Sequence, residues 1–388
     1  IEISGESIFT GNEAQGVEGS GANATGGAVS LWGTSGTISA KFNGNKAQAD
    51  ETAYGGALYL RDGRWGGGND LTITVKDSSF IGNSAIGSKA LGGGLYAKST
   101  HSESGDYVLN LNIENTTFQE NSATHMGGGA FVTGNGKLTM TNVTFEGNSA
   151  NYASALMVYA NKDNESALDK VDSAVVEANN VTYRNNVGGV SGAVYLYTEA
   201  QYTQNGGAFE GNTVTGTEAT KGTMLYAGAV MVKGADATFK DVAFTNNVVS
   251  SDTAVTAGGA VYVDIVDNDT AGKVGGSVTF EVTKDMTYSG NNAIGTEDEE
   301  NTYGYLTSTA GGFLFLDRGT SATFNVGDSA TLTIGNADAT GNMDSIASAW
   351  AANGTDPTAT ITKTGAGTLV INSDLNKYYG CLLYTSPS

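Results

Sequence analysis

Three aspartates close together in the sequence, Asp264, Asp267 and Asp269, form the densest group of candidate acid–base or metal-binding residues. In a carbohydrate-active enzyme, two such carboxyl groups flank the scissile bond about 6 to 10 Å apart and act as acid and base. Asp267 and Asp269, with Gly272, are also weakly similar to a calcium loop, but the oxygen ligand at the fifth position and the distal Glu are missing. We therefore expect an acidic turn at this point in the chain.

Two further motifs have a chemical interpretation. The segment 66–70, Gly-Gly-Gly-Asn-Asp, is similar to one unit of a calcium-binding nonapeptide repeat, which requires tandem copies, and it occurs once. The segment 327–330, Gly-Asp-Ser-Ala, is similar to the nucleophile motif of serine proteases, but Ser329 would need a histidine base and an acid. The two histidines, His101 and His125, lie far earlier in the sequence. No catalytic, cofactor-binding or metal-binding residue is predicted, and the binding residues are left open.

A sequence repeat sets the positions of all these residues. An aromatic residue followed three positions later by Asn recurs along the chain at intervals of a few tens of residues, which indicates a solenoid. The copies are Phe9/Asn12, Phe42/Asn45, Phe80/Asn83, Phe118/Asn121, Phe145/Asn148, Tyr183/Asn186, Phe209/Asn212, Phe244/Asn247 and Tyr288/Asn291.

An element of small residues followed by apolar residues lies between successive aromatic copies. Glycines lacking side chains allow the backbone to turn sharply at one corner. At another corner, Asn tolerates the left-handed conformation, and its amide can bond both a backbone group and the Asn of the next coil. The small-residue elements are 26–29, 55–58, 93–96, 128–131, 191–194, 227–230 and 258–261.

The segment 137–145 shows the strand pattern of one coil. Leu138, Met140 and Val143 alternate with Thr or Asn, which is the period of a half-buried strand, and a helical period is absent. Strands stacked in register about 4.8 Å apart would place Phe on Phe in the lumen and Asn on Asn at a corner. The sequence therefore predicts an all-β fold, a single-stranded right-handed parallel β-helix of about nine or more coils with loop insertions.

Charge and composition restrict the partners. The formal net charge is −21, from 40 acidic and 19 basic residues, so nucleic acid and anionic lipid surfaces are poor partners. The chain has one cysteine, Cys381, which excludes an intrachain disulfide. No leader of charged then apolar residues precedes Ile1, which we expect to reflect truncation.

Polar, glycine-rich insertions follow the small-residue element in several repeats. They begin near Arg61, Lys98, Asn161 and Asp267, and we expect them to leave the same corner of the coil. Solenoids commonly bind partners through loops gathered on one face. This corner is therefore the first place where binding is expected.

Three segments are expected along the chain. Residues 1–300 form the β-helix of aromatic-x-x-Asn repeats, and residues 301–379 continue the β-helix with a different lining, since no aromatic-x-x-Asn follows the element at 311–315. Residues 380–388 break every earlier pattern and resemble translated sequencing-adaptor read-through, so we expect a non-native tail there.

Taken together, the Phe-x-x-Asn and Gly-Gly-Ala signatures resemble the repeats of the polymorphic outer-membrane protein family. Separately, the segment 362–371, followed by 376–380, is similar to the autotransporter-associated β-helix repeat. The resemblance implies the passenger region of a Gram-negative autotransporter, displayed at the cell surface, at the outer membrane or outside the cell. Its leader and its own outer-membrane β-barrel would lie beyond the ends of this sequence. The chain departs from the pattern where Tyr183 and Tyr288 replace Phe, and where the element 152–156 lacks glycine.

The resemblance, together with the absence of a convergent catalytic group, favours a non-enzymatic adhesin or interaction rod. The expected partner is a protein or glycan of a host or neighbouring cell; no cofactor and no nucleic acid are expected, and the chain is expected to be a monomer. The alternative is a carbohydrate-active parallel β-helix enzyme, a polysaccharide lyase or glycoside hydrolase, in which Asp264, Asp267 and Asp269 converge on a groove. A further alternative is a structural stalk that presents a missing domain.

Overall fold

The computed structural model describes the chain except for residues 63–69, 100, 103–104, 107, 135, 161–173, 218–222, 269–271, 298–305, 307, 351–357, 376 and 385–388. In the part of the chain that the structure describes, the regular elements are β-strands, and no helix is long and apolar enough to cross a membrane. Contacts divide the chain into two compact units: unit 1 comprises residues 1–186 and 197–202, and unit 2 comprises residues 187–196 and 203–388. Strands Val194–Tyr197 and Gln201–Glu210 contribute residues to both.

Unit 1 is a parallel β-helix whose coils contribute strands to successive faces. The aromatic face contains Glu2–Thr10, Gly36–Asn43, Leu71–Lys76, Ser79–Ile81, Leu109–Glu114, Thr117–Gln119, Lys137–Thr141, Thr144–Glu146 and Val175–Arg184. The strands after the repeat Asn are Glu13–Gln15, Lys46–Gln48, Ser84–Ile86, Ser122–Ala123 and Ser149–Ala150. The pre-glycine strands are Ala24–Thr25, Thr52–Tyr54 and Lys89–Leu91. The post-glycine strands are Val29–Trp32, Leu58–Arg61, Leu95–Lys98, Ala130–Thr133 and Leu156–Tyr159.

Unit 2 repeats this arrangement. Its aromatic-face strands are Asp236–Lys240, Ala243–Thr245, Ser277–Val282, Ser321–Val326, Thr360–Thr364 and Cys381–Tyr384, with a separate sheet of Met286–Tyr288, Thr331–Ile334 and Thr368–Ile371. The strands after the repeat Asn are Val187–Gly188, Thr213–Thr215, Val248–Ser250 and Asn292–Ile294. The pre-glycine strands are Leu225–Tyr226 and Thr256–Ala257, and the post-glycine strands include Val230–Lys233, Val261–Asn268, Leu314–Leu316 and Ile346–Ser348.

The strands pair in parallel and in register from coil to coil. Phe80 pairs with Phe42 on one side and with Phe118 on the other. These rings are fully buried, and neighbouring centroids lie 4.6 and 4.7 Å apart. Like side chains therefore fill the lumen, and the predicted all-β parallel β-helix is confirmed.

A column of buried Asn side chains fixes one corner. Asn121 Oδ1 accepts hydrogen bonds from both the backbone N (3.0 Å) and the Nδ2 (2.9 Å) of Asn83, while Asn121 Nδ2 donates to the Phe80 carbonyl oxygen at 2.9 Å. Because buried polar groups are costly unless they are paired, each Asn satisfies donors and acceptors that the turn leaves open. In unit 2 the column runs from Asn212 through Asn247 to Asn291.

The glycine corner requires a left-handed backbone. Gly55 and Gly127 have φ of 64° and 68°, a region in which side chains are disfavoured. Ala153 and Ala227 adopt the same conformation, with φ of 52° and 46°. The element at 152–156, which lacks glycine, therefore keeps its corner at the expense of local backbone strain.

The region after residue 300 continues the coil of unit 2. Ser321–Val326 pairs in parallel with Ser277–Val282 and with Thr360–Thr364. Cys381–Tyr384 pairs in parallel with Thr360–Thr364, and its four side chains are exposed. The proposed segment boundary at residue 300 stays a prediction.

Candidate binding site

Two columns of side chains on the post-glycine strands of unit 1 define the candidate site. Trp32, Arg61 and Lys98 occupy equivalent positions in three successive coils. Two residues earlier, and therefore on the same face of the sheet, the positions are held by Ser30, Tyr59 and Tyr96. These positions alternate with the leucines at 58 and 60, which are fully buried.

A pocket of about 230 Å³ lies where the pre-glycine and post-glycine strands meet. Tyr54 reaches it from the pre-glycine side, directly before the sharp turn at Gly55. The pocket exists because one coil carries small side chains where the next carries rings: Thr25 pairs with Tyr54, and Ser30 pairs with Tyr59. Space left by the missing rings becomes a recess over an aromatic floor.

The floor and wall of this pocket are aromatic. The Tyr59 and Tyr96 rings are stacked with centroids 5.4 Å apart, and the Tyr54 centroid lies 4.7 Å from Tyr96 and 6.0 Å from Tyr59. Trp32 is 50% exposed, and its ring centroid lies 5.8 Å from that of Tyr59. Its Nε1 donates a 3.1 Å hydrogen bond to Ser30 Oγ, which holds the indole over the recess.

Arg61 places a positive charge in this aromatic setting. Its Cζ lies 5.0 Å from the Trp32 ring centroid, within the range of a cation–π contact. Its Nε is buried and has no hydrogen-bond partner among the described residues. Burial raises the pKa of Tyr59, and the Arg61 guanidinium opposes that rise through its charge and a side-chain hydrogen bond. Within the described residues, Arg61 makes no ion pair.

The predicted acidic cluster is only partly described. Asp264 ends up buried, where its Oδ2 accepts from Lys233 Nζ at 2.8 Å and its Oδ1 accepts from the backbone N of Ile265 at 2.8 Å. Asp267 lies in the antiparallel hairpin of Val261–Asn268 with Gly272–Gly275, and its side chain lies outside the described residues, as does all of Asp269. Whether these three aspartates converge therefore stays a prediction.

A second carboxyl group, which the sequence reading missed, lies beside Asp264. Burial, followed by the neighbouring Asp264 carboxylate and a hydrogen bond with it, raises the pKa of Asp317 to about 6 against the opposing effect of Arg318. Asp317 is 2% exposed, and its Oδ1 accepts from the backbone N of Arg318 at 2.6 Å. This carboxyl pair is held inside the fold by its own partners.

Of the remaining sequence candidates, the described residues Ser329 and His125 do not line the pocket. Ser329 lies in an exposed turn with φ of 65°, directly before the strand Thr331–Ile334. His125 is half-buried against the edge of Tyr152, and burial, followed by the charge of Lys89, lowers its pKa. The His101 side chain and residues 66–69 lie outside the described residues. Among the residues described, no group of three or more His, Cys, Asp or Glu could hold a metal ion.

The site borders the corner where the sequence predicts loops. Arg61 and Lys98 end adjacent paired strands, directly before the insertions that follow each of them. The sequence signal for the pocket was available, because Trp32, Arg61 and Lys98 each stand three positions after the first residue of their post-glycine strand, which is Val29, Leu58 or Leu95. It was missed because the repeats were aligned on their buried residues.

The fold and the pocket define the class of the molecule: a parallel β-helix with buried aromatic and Asn columns and an aromatic–cationic recess in unit 1. No family model matches the chain. The chain is similar to a protein of Escherichia coli strain K12 named Probable autotransporter YfaL, with 30% identity over 281 residues. The matched region is 68% of this chain and 20% of that protein, so the chain spans about a fifth of the relative's length.

Proposed function

We propose that the chain is part of the passenger of an autotransporter, displayed at the surface of a Gram-negative cell or released from it, where it acts as a non-enzymatic adhesin. The similarity to a probable autotransporter supports the secretion route. The partner is a protein or glycan of a host or neighbouring cell. The polymorphic outer-membrane protein repeat and the autotransporter-associated repeat, read from the sequence, favour the same class.

The observation that carries the binding role is the contrast between the two sites. The carboxyl groups of Asp264 and Asp317 are buried and engaged with Lys233 and Arg318, whereas a glycosidase needs its acid pair at a substrate groove. The pocket of unit 1 offers aromatic faces and a guanidinium, which are groups that bind ligands.

An adhesion assay tests this proposal. The 388-residue chain is coated on plates and challenged with extracellular-matrix proteins and with a glycan array, and the same preparation is incubated with polysaccharides while reducing ends are measured. We expect saturable binding to at least one protein or glycan and no release of reducing ends. Robust polysaccharide cleavage without binding would reverse the assignment in favour of the β-helix enzyme.

A further inference from the structure

We propose that the pocket in unit 1 binds a six-membered sugar ring that carries a carboxylate, such as a uronic or sialic acid residue of a surface glycan. The proposal rests on the adhesive role proposed above and names the chemical class that the adhesin recognises. Three independent properties of the pocket support it: its size, its aromatic surface and its charge.

The size fits a single sugar ring. The pocket volume of about 230 Å³ lies below the range of about 300 to 1,000 Å³ that drug-sized ligands occupy. The recess is formed because Thr25 and Ser30 carry small side chains where the next coil carries rings, and the backbone pairing of Val29–Trp32 with Leu58–Arg61 is unbroken. The rigid β-helix therefore holds the pocket in one shape, which reduces the entropy lost on binding.

The aromatic surface offers what a pyranose needs. One face of a pyranose presents C–H groups, which pack against the face of an aromatic ring, while its hydroxyl groups stay in water. Trp32 stands at the exposed rim, and Tyr54, Tyr59 and Tyr96 line the recess. Aromatic side chains with an apolar body and a polar end suit a ligand that is partly wet.

The charge selects an acidic sugar. The chain as a whole carries −21, so a cation in a pocket is a local exception with a specific electrostatic effect. Arg61 lines the pocket and makes no ion pair within the described residues, and a carboxylate is the group that a guanidinium binds in bidentate geometry. Lys98 adds a second positive charge at the next coil.

The net negative charge of the chain disfavours binding of a polyanion. Nucleic acid binding also uses aromatic rings and cations, but it depends on neutralising many phosphates in succession. A strongly acidic chain repels a long polyanion, whereas one carboxylate on a largely neutral sugar needs only Arg61 and its neighbour. The observations therefore favour the saccharide.

The test compares matched ligands on the full 388-residue chain by saturation-transfer NMR and calorimetry. The probes are glucuronic acid, its methyl ester, N-acetylneuraminic acid and a ten-nucleotide thymidine oligomer. At the free energy per atom that small ligands gain, we expect a Kd of about 1 mM for at least one acidic sugar. The ester should bind at least about fivefold more weakly than glucuronic acid. Whichever acidic sugar binds more tightly identifies the source of the carboxylate.

Variants localise the binding. Arg61→Gln should weaken the acidic sugar about tenfold and leave the ester unchanged, and Trp32→Ala should weaken both. The matched controls are Arg184→Gln, which removes an exposed cation paired with Glu146, and Trp350→Ala, which removes an indole that is 54% exposed. Both controls should bind like the parent, and circular dichroism melts confirm that each variant is folded.

Three outcomes overturn the inference: equal binding of acid and ester, undiminished binding by folded Arg61→Gln and Trp32→Ala, or tighter binding of the oligonucleotide than of either sugar. Failure of the inference and failure of the proposed function are distinguishable. Adhesion to a protein that Trp32→Ala leaves intact retains the adhesin and rejects the pocket, whereas sugar binding combined with polysaccharide cleavage retains the pocket and rejects the adhesin.

Discussion

At equivalent positions of their post-glycine strands, unit 1 places two cations on neighbouring coils and unit 2 places a cation beside a carboxylate. In unit 1, Arg61 and Lys98 stand beside exposed Trp32 and an aromatic recess. In unit 2, Lys233 pairs with Asp264 across neighbouring strands, at 2.8 Å between Nζ and Oδ2. These charges in unit 2 thus neutralise each other, while Arg61 makes no ion pair within the described residues.

The lumen shows a subtler difference between the units. In unit 1 the column from Phe42 to Tyr183 stacks face to face, with interplanar angles such as 8° between Phe80 and Phe118. In unit 2, Phe209 and Phe244 also stack at 7°, but Phe244 meets Tyr288 at 75°.

A second aromatic column lies beside the repeat aromatics of unit 2. In unit 2, Phe239 and Phe280 occupy a paired lumen position next to the repeat aromatic, and both meet Phe244 edge-on, at 89° and 80°. The equivalent position in unit 1 holds aliphatic residues, including Ile113. The buried scaffold is therefore shared, and the outer face and the neighbours of the rings are what distinguish the units.

The largest expected effect is the loss of stability when the buried Asn column, which both units contain, is interrupted. Asn121→Ala in unit 1 and Asn247→Ala in unit 2 each leave two donors of the preceding Asn and one carbonyl oxygen without partners. Since each buried unpaired group costs about 1–3 kcal/mol, we expect both variants to lose about 3–5 kcal/mol in urea unfolding followed by circular dichroism. The half-buried strand residue Asn112, changed to Ala, is the control. A loss below about 1 kcal/mol in either unit would contradict a shared Asn column.

The next prediction exchanges the residues beside the rings. Ile113→Phe should destabilise unit 1 by about 1–3 kcal/mol, because a second ring overfills a lumen packed with stacked aromatic faces. Phe280→Ile should destabilise unit 2 by a similar amount, because it leaves a cavity beside Phe244 and Phe313. The same urea measurement applies, with Ile86→Phe at a partly exposed position as control. A stabilising result for either core change would show that the two lumens are interchangeable.

The buried carboxyl pair gives unit 2 a pH dependence. The pKa of Asp317 is raised to about 6 in the folded chain from 3.8, so between these values the folded state binds more protons than the unfolded state. The stability that this group contributes is therefore fully present below about pH 3.8 and falls by on the order of 2 kcal/mol as the pH rises from there through about 6. Asp317→Asn should remove this part of the dependence.

The pH dependence is measured from urea midpoints at pH 4, 5, 6 and 7 for the parent and for Asp317→Asn. The difference between the two curves of midpoint against pH gives the contribution of Asp317. The exposed Asp338→Asn should follow the parent curve. If Asp317→Asn and the parent fall in parallel, the carboxyl pair is not the source.

At the left-handed position of the glycine corner, replacing glycine by alanine and replacing alanine by glycine should change stability in opposite directions. Gly127→Ala should cost about 1–2 kcal/mol, because its φ of 68° is left-handed. Ala153→Gly and Ala227→Gly relieve strain at the same corner and should be neutral or stabilising by up to about 1 kcal/mol, once the added entropy of the unfolded chain is counted. Thermal melts of the three variants decide the point, and a clear loss for both alanine sites would show that their corners are not strained.

The smallest effect concerns the two tyrosines that replace Phe. The Tyr183 hydroxyl contacts the Tyr202 hydroxyl at 3.1 Å, so Tyr183→Phe should lose about 1 kcal/mol. The Tyr288 hydroxyl is buried and has no hydrogen-bond partner in the part of the chain that the structure describes, so Tyr288→Phe should be neutral or stabilising by about 1 kcal/mol. Thermal melts of both variants check the difference, and equal losses would assign Tyr288 a partner.

The β-helix could be predicted from the sequence, because its signal is local and repeated. Each Phe and Asn needs a like residue at the same offset in the next coil, and the glycines mark where the chain turns. The sequence could not supply Asp344, whose Oδ1 accepts from the backbone N of Asn291 at 2.8 Å and so takes the place of the next Asn. No aromatic residue stands three positions before Asp344, so the motif offers no sign of this role.

Which polar and aromatic residues act together depends on how the coils pack, and the sequence did not reveal it. The carboxyl groups of Asp264 and Asp317 meet only because strands Val261–Asn268 and Leu314–Leu316 pair across a long insertion. The pocket likewise forms only when the small residues of one coil lie over the rings of the next. Repeats specify what must match between coils, whereas a recess arises from a mismatch, and its shape depends on how neighbouring coils pack.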